Sequence, residues 1–150
     1  MGIRNRNQIS TLQFTDPDSA LDGDGTSDAP GQPAPVSVLL SPGLAELAPA
    51  LSRALGSEFA VTTDRIGRRG VMLTGPVGPA GVAFLRASYP GVGLLVVDRR
   101  WSGRRAGEVV INLEAGADGY LTSPSVAEMA SHVTALARRY TSYSNSMTAA

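Results

Sequence analysis

The 150 residues are enough for one domain with an ordinary core and a tail. Hydrophobic residues make up 43% and the formal net charge is zero, which argues against wholesale disorder and against a global pull towards nucleic acid or anionic lipid. No cysteine is present, so disulfides, thiolate chemistry and cysteine zinc sites are excluded.

All 13 basic residues are arginine, so no lysine ammonium is available for catalysis or phosphate contact. The opening residues lack an apolar leader, and Arg6 stands where a myristoylation motif requires Ser or Thr. No stretch approaches the roughly 18 apolar residues of a membrane span. A cytoplasmic protein with no membrane contact is the expectation.

Residues 1–35 form the first region, read as a flexible acidic tail. Five aspartates against two arginines give it a charge of −3, while the remainder carries +3. From Thr15 to Pro35 the chain is mostly Asp, Gly, Ser, Ala and Pro, with too little apolar surface to offset the entropy of ordering. The run Asp22-Gly23-Asp24-Gly25 suggests a calcium loop. Thr26 and Ser27 then fail to supply the next ligand and glycine, and Pro33 stands where the closing glutamate belongs. A solvated linker is the simpler reading, and no metal is expected.

A domain is predicted over residues 36–140. Val36–Leu40 is a short apolar run suited to a buried parallel strand. Ser41 and Pro42 then read as a helix cap and first helical residue. Leu44, Leu47, Leu51 and Leu55 place one apolar stripe on that helix, Pro49 predicts a kink or a late start, and Gly56 ends it. Phe59–Thr63 and Val71–Thr74 are the second and third strands. Only Asp64–Gly70 separates them, too short for a full crossover helix of about a dozen residues, so the second crossover helix is expected to be shortened or missing.

Ala80–Tyr89 reads as the next helix and Val92–Val97 as the fourth strand. Arg105–Ala115 is helical with Gly116 as its stop, and Tyr120–Thr122 is the fifth strand. Ser125 and Glu128 have capping-box spacing, and Val126, Met129, Val133, Leu136 and Tyr140 line one face of the last helix. Residues 141–150 are polar and read as a C-terminal tail or linker. Five alternations of strand and helix predict an α/β domain with a parallel sheet covered on both faces.

The run Leu113-Glu114-Ala115-Gly116-Ala117-Asp118-Gly119-Tyr120-Leu121-Thr122-Ser123-Pro124 closely resembles the end of response-regulator receiver domains. The segment Val126-Ala127-Glu128-Met129 that follows is similar to the family's last helix. This resemblance covers about residues 36–140 and implies a flavodoxin-like, five-stranded parallel sheet of order 2-1-3-4-5. It also implies a phosphorylation site at the carboxyl ends of the strands. Such a site has acids holding Mg²⁺ after the first strand and an acceptor aspartate ending the third. A Thr or Ser follows the fourth strand, and a Lys follows the fifth.

Every one of those positions departs from the family here. The acidic pair falls at Ser41 and Pro42, the acceptor at Thr74, the hydroxyl position near Asp98 and the lysine at Ser123. The family's following proline is kept as Pro124, where receivers carry a cis peptide bond. No acidic residue lies between Gly70 and Gly91, so the loss does not depend on register.

What remains at that edge is arginine. Arg65, Arg68, Arg69, Arg99, Arg100, Arg104 and Arg105 either line a mouth for an anion or acidic partner, or form the ordinary solvated surface of a lysine-free protein. Trp101, the only tryptophan, is read as either an interface anchor or a local core residue, and His132 is expected to face solvent beside it as a further contact candidate.

The leading expectation is a pseudo-receiver: a phosphorylation-independent signalling module that acts through a protein partner or a second copy. The resemblance implies two settings, the N-terminal part of a response-regulator transcription factor or a stand-alone adaptor. The alternative is a sensor of a small anionic ligand in the emptied site. Neither catalysis, a cofactor nor direct nucleic-acid contact is expected. The proline-rich stretch Gly75-Pro76-Val77-Gly78-Pro79 cannot cradle phosphate, since proline has no N–H to donate.

Overall fold

A computed structural model of the chain describes residues 33–67, 69–100 and 106–148. Five strands, β1 (Val36–Leu40), β2 (Phe59–Thr62), β3 (Gly70–Thr74), β4 (Val92–Asp98) and β5 (Gly119–Thr122), form one parallel sheet of order β2-β1-β3-β4-β5. This is the predicted flavodoxin-like topology. The central strands β3 and β4 are buried at every position, which is why their sequences are near-continuous apolar runs and do not alternate.

At Gly70 the approach of β1 requires glycine. A Cβ there would lie 2.3 Å from the backbone oxygen of Ser37, which a side chain cannot do without displacing the strand.

Pro49 decides how the first helix begins. Pro42–Leu47 closes as a 3₁₀ segment, and the α-helix α1 (Ala48–Leu55) starts only there, with the proline in its first turn. A missing N–H is harmless in that turn, because those donors have no intrahelical acceptor anyway. The late start matches the expectation. The cap does not: Ser41 makes no side-chain capping bond and turns its hydroxyl towards β3. Gly56, at φ +82°, ends the helix.

Among the described residues no helix lies between β2 and β3, as the short connection predicted. The remaining helices are α2 (Gly78–Ser88), α3 (Ala106–Glu114) and α4 (Val126–Thr148). The start of α2 precedes the predicted Ala80, because Pro79 is tolerated in a first turn. Ser125 Oγ accepts from the Glu128 N–H at 3.1 Å, the forward half of the predicted capping box. The last helix continues past Tyr140 through the polar stretch to Thr148.

Two cores sandwich the sheet. On one face Val38, Leu40, Val71, Leu73, Leu95 and Val97 meet Leu44 and Leu51 from the first helical segment and Met129, Val133 and Leu136 from α4. Each fully buried Leu or Val contributes about 1.5–3 kcal/mol. On the other face Met72, Val92, Leu94 and Val96 pack with Val82 of α2, while Leu39 and Ile66 fill in where a second crossover helix would lie.

Candidate functional site

The carboxyl ends of the strands gather four of the residues singled out by the sequence. Ser41 leaves β1 with its N–H donating to the Leu73 carbonyl at 2.9 Å, and its Oγ accepts a long 3.4 Å bond from the Gly75 N–H. Thr74 ends β3 and is 3% exposed, with its Oγ donating to the Gly75 carbonyl at 3.1 Å. Asp98 ends β4 and is fully buried. Its Oδ1 accepts from the Arg100 N–H at 3.0 Å and its Oδ2 from the Tyr120 hydroxyl at 3.2 Å. Ser123 follows β5, exposed, and its N–H donates to the Asp98 carbonyl at 2.7 Å.

Around this edge the arginines do not act alike. Arg99 pairs with Glu46 of the 3₁₀ segment, in a surface contact with both side chains well exposed. Arg65, Arg69 and Arg100 are exposed. Arg68, Trp101, Arg104 and Arg105 lie outside the described residues. His132 faces solvent on α4, as expected.

One implied feature is corrected. The peptide bond before Pro124 is trans, and the chain turns instead at Ser123, which takes φ +46°.

No protein-family model matches the sequence, and no curated protein does. Solved structures do match. The chain is similar to an orphan response regulator of H. pylori, with a TM-score of 0.58 at 18% identity over 70% of this chain and 99% of that one. A CheY-like response regulator receiver domain protein from Methanospirillum hungatei gives 0.59 at 14% identity over 73% and 99%. A Burkholderia thailandensis protein assigned to pilus assembly gives 0.55 at 18% identity over 69% and 98%. The molecule has the receiver fold.

In a receiver fold this edge would hold Mg²⁺ and a phosphoryl group, and the residues present do not fit them. Magnesium takes hard oxygen ligands, usually carboxylates. The side chains here are the Ser41 and Thr74 hydroxyls, Pro42 has no ligand atom, and the Asp98 carboxylate is buried and hydrogen-bonded into the fold. Among the described residues no cluster of three His, Cys, Asp or Glu side chains could hold a metal ion. An acyl phosphate needs a carboxylate acceptor, and a threonine hydroxyl cannot supply one.

A second polar cluster lies at the opposite, amino-terminal edge, and the sequence reading missed it. Arg86 of α2 donates three bonds, from Nε to the Gly116 carbonyl at 2.9 Å, Nη1 to the Val92 carbonyl at 2.7 Å and Nη2 to Asp118 Oδ2 at 2.6 Å. The same carboxylate accepts from the Leu94 N–H at 2.8 Å, and the Tyr140 hydroxyl lies 3.0 and 2.9 Å from its two oxygens. Gly93 makes room for the tyrosine, since a Cβ there would meet the ring at 3.2 Å. Burial raises the Tyr140 pKa above its ordinary value, and the hydrogen bond to Asp118 and that residue's negative charge push it the same way. Asp118 stands inside the motif that carried the resemblance, which was the one available signal.

Proposed function

We propose that the chain is a phosphorylation-independent, receiver-like regulatory module that acts by presenting a standing surface to a protein partner. The supporting observation is the buried Thr74 at the position of the acceptor aspartate, bonded to its own backbone neighbour and flanked by the Ser41 hydroxyl. A domain with this edge has no means of being switched by phosphoryl transfer. Its output is therefore fixed by its fold or by what binds it, and it has no catalytic role. The orphan regulator and the pilus assembly protein share the fold at under 20% identity, so the setting could be transcriptional control or a larger assembly. No observation favours a small-anion sensor: Arg99 already has a carboxylate partner, and the Ser41 and Thr74 hydroxyls are engaged with Gly75.

Beryllofluoride with Mg²⁺, a phosphoryl mimic, tests this reading. Amide NMR spectra of the chain should not change when it is added, and acetyl phosphate should leave no adduct by intact mass. Saturable shifts at Ser41, Thr74 and Ser123 would overturn the proposal.

A further inference from the structure

Asp118 is followed by Gly119, and an Asp–Gly bond carries a chemistry of its own. The nitrogen of the following residue attacks Cγ of the aspartate, and glycine, having no β-carbon, hinders that approach least. A C–N bond forms, the C–OH bond of the protonated carboxyl breaks, and the hydroxyl leaves with the amide proton as one water. The five-membered succinimide then takes up one water at either carbonyl. Opening at one restores aspartate. Opening at the other routes the main chain through the side-chain carbons and leaves isoaspartate. No oxidant, cofactor or enzyme enters the balance.

The fold asks for both residues at this place. The Asp118 carboxylate is the shared acceptor of Arg86, the Leu94 N–H and Tyr140. Gly119 opens β5 opposite Leu95, and a Cβ on it would stand 2.7 Å from Cδ1 of that fully buried leucine. The same contacts hold the pair unreactive. Ring closure needs a protonated carboxyl with Cγ swung onto the Gly119 nitrogen. Here Oδ2 accepts from Arg86 Nη2 at 2.6 Å and from the Leu94 N–H at 2.8 Å, and the Tyr140 hydroxyl lies 3.0 Å from Oδ1. The ion pair with Arg86 is made by the ionised carboxylate, the form with no hydroxyl to lose. The Asp118 N–H in turn donates to the Leu94 carbonyl at 2.8 Å, so Leu94 clamps the residue by its main chain and its side chain together.

We propose that Asp118–Gly119 is a latent isomerisation site, kept closed by Arg86 and Tyr140, that reacts only when the amino edge of the sheet opens. Opening frees the carboxyl to take a proton and to turn onto the glycine nitrogen, so the rate follows the open fraction. The product does not close again in the same way. Isoaspartate lengthens the main chain by one carbon and shortens the side chain by one, which moves the carboxylate away from Arg86, Leu94 and Tyr140. A transient opening is thereby turned into a lasting loss of the contacts between α2, β4 and α4. This inference concerns the edge opposite the phosphorylation positions, so it holds or fails whatever beryllofluoride does.

Incubation of the full chain in mildly acidic water enriched in heavy oxygen tests it, because each hydrolysed ring keeps one heavy atom whichever way it opens. Peptide mapping by mass spectrometry reads the label at Asp118. Asp22-Gly23 and Asp24-Gly25 are sequence-matched references in the same chain. In guanidinium, Asp118 should take up label about as fast as those two aspartates. In the folded chain it should be at least about tenfold slower than in guanidinium. Arg86→Met should speed the folded chain's labelling about tenfold, with circular dichroism showing that it stays folded. Tyr140→Phe, a milder change, should speed it about two- to fivefold and decides the matter if Arg86→Met unfolds. The proposal is overturned by an Asp118 that labels as fast folded as unfolded, by one that stays unlabelled in guanidinium, or by a wild-type rate in either variant that is folded.

Discussion

The two ends of the sheet hold polar groups of opposite character. At the carboxyl edge, hydroxyls replace the acids and the lysine of a receiver site, and their bonds are short-range or long: Thr74 to its neighbour, Ser41 at 3.4 Å. At the amino edge a part-buried ion pair is surrounded by donors, tying α2, β4, the turn into β5 and α4 together through Arg86, Asp118, Leu94 and Tyr140. The charged cluster that ties helices to strands lies at the amino edge, while at the carboxyl edge the buried Asp98 carboxylate is bonded to the Arg100 N–H and the Tyr120 hydroxyl. The Ser41 and Thr74 hydroxyls at the phosphorylation positions add little to that support.

Removing Asp118 should break that contrast most severely. Asp118→Ala leaves Arg86 and the Leu94 N–H without their carboxylate, while both ion-pair partners are mostly withdrawn from water at 23% and 17% side-chain exposure. Breaking one member of such a pair leaves an uncompensated charge, so a loss of about 3 kcal/mol is expected in urea melts. A loss under about 1 kcal/mol would mean the amino edge is no more important than the carboxyl edge.

Tyr140→Phe should cost less, about 1 kcal/mol, because it deletes one hydrogen bond and keeps the ring against Gly93. It also carries a pH signature. Burial first, then Asp118, raises the tyrosine's pKa above 10.0 in the folded state, so the folded state holds its proton more tightly than the unfolded. This contribution is complete below pH 10 and is lost as pH rises from there through the folded pKa. Alkaline melts should show the wild type losing its advantage over Tyr140→Phe above pH 10. A stability difference independent of pH would remove the hydroxyl–carboxylate contact as its cause.

Legibility in the sequence follows the same divide. The strands, the missing crossover helix and the sheet order were readable because apolar runs, Gly and Pro act locally and the Leu113–Pro124 motif carries the topology. Pro49 was readable for the same reason, and the structure shows it delaying the helix as expected. Ser41 was misread because a hydroxyl before proline has a good local capping role, while its actual donor, Gly75, lies 34 residues away. The Asp118 cluster was invisible because Arg86 and Tyr140 are 32 and 22 residues from it, and only the closed sheet brings them to one place. Asp98 was placed just past the fourth strand, yet β4 runs one residue further than predicted and buries it.

The smallest effect should come from the carboxyl edge, and it sharpens the contrast from the other side. Thr74→Val keeps the shape of a buried side chain and removes a hydroxyl whose bond goes to the adjacent Gly75 carbonyl. Ser41→Ala removes an acceptor that the Gly75 N–H reaches only at 3.4 Å. A bond of that length is near the limit of a useful one. Each change should cost about 0.5–1 kcal/mol, and because both act on Gly75 their sum should depart from additivity. A functional consequence is not expected if the domain works through a standing surface, so the double variant should sediment like the wild type and bind the same partners. A double variant that stayed folded but lost its partner would mean that this edge still governs the helical faces. The separation between a silent carboxyl edge and a supporting amino edge would then fail.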